Sequence, residues 1–390
     1  NARMSMRASR TDWSVGCRPQ GVKDMFRDLH DRQTQVPMEM REITADKYDY
    51  TEKRGRIGGH RTISEYSFTI DRQVLNDRTN ARYLIEENIR DDVYFDLKKG
   101  LETFTDKGRI LQAEPCLHPL CKWACAQGGN TIKEVFAGAE FASWRGTINR
   151  IATTLYIKEA WTIVALKLGG VIILSEQSKR YCGNPKDVGT YSGFKFEQYM
   201  TTDRPNGEPD HDEPVDNRPT FEIMVRSDLS LDGRKIKLCC GAEIDALSGD
   251  EPVELKTANA NARVLLNRNL KNVVQSEIVG VRRLVKGLKK SSDEKHGFIV
   301  TKVVEEKMSD MKATLNGEEE MCYAFLFDVL SQVKNFLEHE NACEFSFDKR
   351  RGVVEIKPIS YKTAERRNNG VTYDFKKKFN LWNVVNLERG

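Results

Sequence analysis

Residues Lys237–Thr257, KLCCGAEIDALSGDEPVELKT, decide how the chain is read. They have the pattern of two strands joined by a turn. Ser248–Pro252 supplies Gly, Asp and Pro, the residues that turns favour. Side chains two apart in a strand share a face. Glu243 and Asp245 are therefore expected side by side on the first strand, and Glu254 and Lys256 on the second. The alternate positions, Ala242, Ile244 and Ala246, then Val253 and Leu255, are apolar and suit a buried face. Pairing of these strands would gather three carboxylates and one ammonium on one side of a sheet. Such oxygen donors suit hard divalent cations such as Mg²⁺ and Mn²⁺. An exposed amphipathic hairpin with a surface Glu–Lys pair has the same letters, and such pairs are worth little. The rest of the chain decides between the two.

The 390 residues suffice for a large core, and 39% hydrophobic with 31% charged residues fits a soluble globular protein. A formal net charge of +4 restricts any nucleic-acid surface to a local patch. The longest apolar runs are too short to span a bilayer, so no membrane partner is expected. The polar, Arg-rich start shows no secretory signal. Nine cysteines, an odd count, suit the reduced thiols of a nuclear and/or cytoplasmic protein.

Along the chain, residues 1–60 are expected to wrap the surface as loops and short strands. Arg61–Ile70 alternates as a strand, and Ala81–Ile89 has the pattern of a short helix. Cys116, His118, Cys121 and Cys125 lie close together, but not as two C-x-x-C pairs. A half-buried helix explains them as well as a zinc site does. Thr131–Ile157 is helical in spacing. Within it, Arg145 is either a surface arginine or a phosphate ligand. Trp161–Glu176 reads as a hairpin turning at Gly169-Gly170. Tyr191–Met200 (YSGFKFEQYM) reads as a strand or strand end that sets Glu197 among aromatic residues. Asp203–Pro219 is a polar surface loop.

Thr220–Leu231 and Arg234–Leu247 form a hairpin across Asp232-Gly233. Asn259–Val274 is helical, with Gln275 at its end. Arg282, Arg283, Lys286, Lys289 and Lys290 form either an RNA-backbone contact or a solvated face. Glu318–Glu340 is an amphipathic helix and Cys343–Ile359 a final hairpin. The basic tail, 361–390, with Lys376–Lys378, reads as a solvated end. Hairpins and helices alternate without a regular βα rhythm. This predicts an α+β (mixed α/β) fold: one or two mostly antiparallel or mixed sheets, with flanking helices around a central active-site cleft. Glu197 and Glu243 are expected to share that site across the polar loop, so residues 1–390 are read as a single domain.

A carboxylate strand followed by Glu-x-Lys is the plan of the PD-(D/E)xK nucleases. The wider set of segments is more specific. SWRG at Ser143, YSGFKFEQYM at Tyr191, GAEIDA at Gly241, VELKT at Val253 and NVVQS at Asn272 resemble the DXO decapping exoribonuclease family in order and spacing. FDLKKG at Phe95 and CYAFLFDVL at Cys322 extend the likeness, which runs from Phe95 to Ile359. The resemblance implies a metal-dependent hydrolase of RNA 5′ ends. It would remove incompletely methylated, unmethylated or NAD-type caps, and pyrophosphate from 5′ triphosphates. Several members then degrade the RNA 5′ to 3′.

Carried over by position, Glu197, Glu243, Asp245 and Glu254 would hold two divalent ions, Mg²⁺ or Mn²⁺, helped by the Leu255 carbonyl. Glu243, Asp245, Glu254, Lys256 and Gln275 would form the catalytic set. Lys256 and Gln275 would orient the attacking water and the scissile phosphate, and Arg145 would bind phosphate. Lys256 beside three acids should stay protonated. The implied partners are capped, triphosphate or monophosphate RNA 5′ ends and, as in some fungal relatives, a separate 5′–3′ exoribonuclease. Where family members carry Trp-rich residues before the glutamine, this chain has Lys271-Asn272-Val273-Val274-Gln275. An alternative is a catalytically weak or inactive member that senses RNA 5′ ends or partners a separate exoribonuclease. A DNA nuclease of the wider superfamily is a third reading.

Overall fold

The computed structural model describes residues 40–107, 117–177, 187–259, 266–290, 298–368 and 371–381. This part opens with β1 (Arg41–Thr44) and the long β2 (Arg56–Phe68). The short β3 (Val74–Leu75) and β4 (Tyr83–Leu84) follow, then β5 (Asp91–Asp96). The helix expected at Ala81–Ile89 is instead β4 and one 3₁₀ turn, Glu86–Asn88. Tyr83 and Leu84 are drawn out straight because they pair with Thr202 and Thr201.

Next come α1 (His118–Ala126), α2 (Ile132–Val135), β6 (Phe141–Trp144) and α3 (Arg145–Ala152). A reciprocal Thr131–Glu134 capping box starts α2. Ala137 and Gly138 end it with positive φ, 51° and 73°. The helical spacing of 131–157 is thus interrupted. Phe141–Trp144 is drawn into the sheet between two parallel neighbours, and that burial overrides helical pattern.

β7 (Trp161–Leu168) and β8 (Val171–Glu176) form the expected hairpin, with Gly169 and Gly170 both at positive φ. Then follow α4 (Val188–Met200), β9 (Thr201–Thr202), β10 (Thr220–Leu231) and β11 (Arg234–Glu243). β12 (Ala246–Ser248), β13 (Glu251–Asn259), α5 (Leu266–Ile278), β14 (Arg283–Lys289) and β15 (Ile299–Lys307) come next. The chain continues through α6 (Met308–Ala313), α7 (Glu318–Phe336), β16 (Ala342–Asp348) and β17 (Val353–Pro358) to α8 (Tyr361–Asn368) and α9 (Tyr373–Lys378).

Among the described residues the strands form two mixed sheets. The first has ten strands in the order β1-β17-β16-β7-β8-β6-β11-β10-β2-β3, and the second seven in the order β5-β15-β14-β13-β12-β4-β9. One core packs Trp123, Phe136 and Phe375 against Tyr66 and Val164 of the first sheet. Another packs Phe196, Tyr199 and Met200 of α4 against Val253, Leu255 and Val285 of the second. The expected mixed α+β architecture is therefore present, with two sheets.

The tail is not a solvated end. Tyr361, Ala364, Phe375 and Phe379 are buried in the first core. Lys378 donates to the carbonyls of Ala124 and Cys125 at 3.1 and 3.0 Å and to that of Gln127, closing the C-terminus of α1. The basic run was misread because its apolar partners, Phe375 and Phe379, stand one helical turn apart around it. Residues 1–39 and 382–390 lie outside the described residues. Among those described, no helix is long and apolar enough to cross a membrane, and six cysteines are free thiols.

Candidate active site

The two sheets meet in the stretch that opened the sequence reading. β11 ends at Glu243, and Ile244 donates its N–H to the Phe221 carbonyl at 3.0 Å. Two residues later the chain has entered the second sheet, where Ala246 pairs with Val253. Glu243 and Asp245 thus lie at the crossing rather than side by side on one continuous strand. The turn is also tighter than Ser248–Pro252. Ser248 already pairs with Glu251, leaving Gly249, at φ 59°, and Asp250 between them. Asp245 Oδ2 accepts the Leu255 N–H at 2.8 Å, which ties the crossing to β13.

Glu254 is the floor of the site, with 3% of its side chain exposed. Three donors reach its carboxylate: Arg145 Nη1 to Oε2 at 2.8 Å, and Gln275 Nε2 and Lys256 Nζ to Oε1 at 2.7 and 2.6 Å. Arg145 arrives because β6 lies parallel beside β11 and α3 begins at once after it. Gln275 arrives on the last turn of α5. Lys256 shares the face of Glu254, as the strand spacing requires, and also reaches Asp245 Oδ2 at 3.2 Å and the Leu255 carbonyl at 3.0 Å. Burial alone would raise the Glu254 carboxyl; Arg145 and Lys256 outweigh it and bring it down to about 2. Burial would likewise strip Lys256 of its proton, but Asp245 and Glu254 hold it above its ordinary range, so the ammonium form stands as expected.

Glu197 comes from α4, where a strand was expected. Asp187 caps this helix by accepting from the N–H groups of Gly189 and Thr190. The buried set Tyr191, Ser192, Lys195, Phe196, Tyr199 and Met200 then follows helical spacing. The pattern is disguised by Lys195, a charged residue on the buried side. Its ammonium donates to Gln198 Oε1 and to the His211 carbonyl, both at 2.7 Å, and so fastens the Asp203–Pro219 loop to α4. Phe196 packs so closely on β14 that a Cβ at Gly287 would lie 2.5 Å from its ring. One residue on, Glu197 lines a cavity of about 330 Å³ with Glu243 and Asp245, together with Arg82, Asp210 and Asn217. Burial, with Asp245 adding to it, pushes the Glu197 carboxyl well above its usual range; burial also raises Asp245, with Lys256 opposing.

Glu243 stands at the mouth, 43% exposed. Its carboxylate is taken by a residue that sequence reading missed: Lys107 Nζ lies 2.8 Å from Oε1 and 2.5 Å from Oε2. No spacing rule connects positions 136 apart, so only the fold reveals this pair.

All seven expected site residues, Arg145, Glu197, Glu243, Asp245, Glu254, Lys256 and Gln275, are therefore gathered here, with the Leu255 carbonyl beside them. The donor set is all oxygen, and the Glu197 and Asp245 carboxyls are crowded together in a buried place that raises the cost of charging each. Both features fit a hard divalent ion. Among the described residues no three such groups are gathered at ligand spacing; Lys107, Lys256 and Arg145 reach the Glu243, Asp245 and Glu254 oxygens.

Cys121 is buried in α1, Cys116 lies outside the described residues, and no zinc cluster forms among those described. Within the acidic loop, Asp210 pairs with Arg82 at 2.9 Å and Asp212 with Lys99. Of the basic segment, Arg283 is taken by Glu86 and Glu305, and Lys286 by Glu306. Val273 and Val274, which replace the family's Trp-rich run, are fully buried behind Gln275.

Carboxylates from a helix, the end of β11, the crossing between the sheets and β13, with Glu-x-Lys on β13, define a nuclease core of the PD-(D/E)xK class. The chain belongs to the RAI1 like PD-(D/E)XK nuclease family, whose family model matches residues 61–376. It is 28% identical over 312 residues to the decapping nuclease dom-3 of Caenorhabditis elegans, covering 75% of this chain and 77% of that protein. Its fold is similar to that of Candida albicans Rai1 in complex with pU5-Mn2+, with a TM-score of 0.69 at 14% identity over 88% of this chain and 99% of the other. Scheffersomyces stipitis Rai1 in complex with (3'-NADP)+ and calcium ion gives 0.67 at 15%, over 88% and 98%.

Proposed function

We propose that this protein is a divalent-metal-dependent hydrolase of RNA 5′ ends. Its substrates would be incompletely methylated, unmethylated or NAD-type caps and 5′ triphosphates, with 5′–3′ degradation following. One observation carries this reading: Glu254 and Lys256 on β13 meet Arg145, Gln275, Asp245 and Glu197 in one cleft, though they come from four separate elements and the crossing between the sheets. It is supported by the name of the C. elegans relative, a decapping nuclease, and by the pU5 and Mn2+ bound to the C. albicans protein.

In this reading Glu197, Glu243, Asp245, Glu254 and the Leu255 carbonyl hold Mg²⁺ or Mn²⁺, two ions in all. When bound, such ions polarise a phosphoryl oxygen and make water a stronger nucleophile. The chain's own groups do the rest. Lys256, kept protonated by its acidic neighbours, faces charge that gathers on the scissile phosphate and orients the attacking water. Gln275 fixes Glu254 through a 2.7 Å bond and positions the same water. Arg145, released from Glu254 by a phosphate, offers a planar fork that matches it.

The test is a product analysis. Purified protein is incubated with 5′-triphosphate, unmethylated-cap, NAD-cap and 5′-monophosphate RNA in Mg²⁺, Mn²⁺ or EDTA, beside Glu254→Ala. Metal-dependent products that the variant lacks establish the hydrolase and rank its substrates. Undiminished turnover by the variant sinks the site assignment. RNA bound without turnover would turn the reading to a 5′-end sensor or a partner of a separate exoribonuclease.

A further inference from the structure

Lys107 enters the cleft from outside the strands that build the site. Its backbone is pinned to the Asp203–Pro219 loop. Thr105 forms a single parallel bridge with Asp216 and donates to the Val215 carbonyl at 3.1 Å, and the Lys107 N–H donates to Asn217 Oδ1 at 2.6 Å. From this anchor the side chain reaches both oxygens of Glu243 and leaves neither uncommitted. The Lys107 side chain is only 16% exposed although that of Glu243 is 43% exposed, so the lysine reaches the acid from the buried side. Its charge also acts on Glu197 and Glu222. Arg145 and Lys256 neutralise the inner half of the acidic cluster, and Lys107 neutralises the outer half.

A divalent ion and an ammonium brought to the same two oxygens repel each other at that range, so each weakens the other's hold. We propose that Lys107 is a built-in competitor for the divalent ion at Glu243: its ammonium holds both carboxylate oxygens in the metal-free protein and swings away when a metal takes them. This rests on the reading of Glu243 as a metal ligand. The four-carbon stem of lysine permits the swing while the anchored backbone stays in place. Lys107 thereby sets the ion concentration at which the outer position fills, and the protein rests with that position closed until the concentration is reached.

The experiment is calorimetric titration of Mg²⁺ and Mn²⁺ into EDTA-stripped wild type, Lys107→Met, Lys107→Arg and Glu243→Gln, with folding verified by circular dichroism. Lys107→Gln replaces Lys107→Met if the latter does not fold. Because the pair is partly exposed, removal of the ammonium should tighten ion binding by roughly three- to tenfold. Lys107→Arg should stay close to wild type. Stripped Lys107→Met should melt below stripped wild type, since the outer acids lose their counter-charge. Unchanged or weaker binding in Lys107→Met overturns the proposal, even if its stability falls, because a merely structural lysine would behave so. If wild type and Glu243→Gln bind the ions alike, Glu243 is not a ligand, and the inference fails with its premise.

Discussion

Arg145 and Glu254 are 109 residues apart in the chain and 2.8 Å apart in the fold. One opens the helix that follows β6 of the first sheet; the other is on β13 of the second. Their contact joins the two sheets at the base of the cleft, with 12% and 3% of the side chains exposed. Breaking one partner of a buried ion pair leaves an uncompensated charge and costs about 3–5 kcal/mol. Lys256 and Gln275 still hold Glu254, so Arg145→Met should lower the urea-unfolding free energy of the metal-free protein by less than that amount. Adding Glu254→Gln should recover part of the loss. Strictly additive losses in the double-mutant cycle would show that the pair is not coupled.

Glu197 bears on metal loading in a second way. It is buried beside Asp245, and divalent ions that bind only the folded protein should stabilise the wild type by about 2.7 kcal/mol at a hundred times the dissociation constant. In Glu197→Gln the rise in melting temperature on adding Mn²⁺ should shrink, while the EDTA-treated variant melts at or above wild type. Equal metal-induced shifts in the two proteins would remove Glu197 from the ligand set.

Glu222 predicts a pH dependence. Its carboxylate is buried, accepting from Tyr66 Oη at 2.8 Å and Thr220 Oγ1 at 3.2 Å. Burial first, and then Glu243, raise it to about 7. The unfolded value is about 4.3, so the folded state binds this proton more tightly. Stability is then lost as pH rises from the unfolded value through about 7. Metal-free Glu222→Gln should show a flatter decline in melting temperature between about pH 5 and 8 than wild type does. Parallel profiles would contradict the assignment.

Gly287 is a close approach that holds Glu197 in place. An added methyl would meet Phe196 at 2.5 Å, and overpacking of this kind costs about 1–3 kcal/mol. Gly287→Ala should lower both stability and turnover, because α4 must shift and carry Glu197 with it. Phe196→Leu in the same chain should restore part of each. A variant that is destabilised yet fully active would separate the packing from the site.

Much of this was legible in the letters. The hairpins at 161–176 and 220–243 announce themselves through Gly169-Gly170 and Asp232-Gly233, where local backbone chemistry alone sets the turn. Glu254 and Lys256 share a face because strand periodicity makes them do so. What stayed hidden depends on distant partners. YSGFKFEQYM resembles a strand until Lys195 is seen to be buried against the Asp203–Pro219 loop. Phe141–Trp144 leaves a helical pattern because β8 and β11 flank it. Neither Lys107 nor the docking of Lys378 on α1 has any local signature.

The order of strands in the first sheet has a consequence for synthesis of the chain. Among the described residues β1, near residue 41, pairs with β17, near residue 353, and β16 and β17 separate it from β7. While a nascent chain is still short of Ala342, β7 is an open edge of buried residues, Trp161, Ile163, Val164, Ala165, Leu166 and Leu168. Unpaired apolar edges template aggregation. A ribosome that stalls, or a stop codon that falls, before this point leaves every site residue translated and that edge bare. Such a product is a client for chaperones or proteases rather than a shortened enzyme.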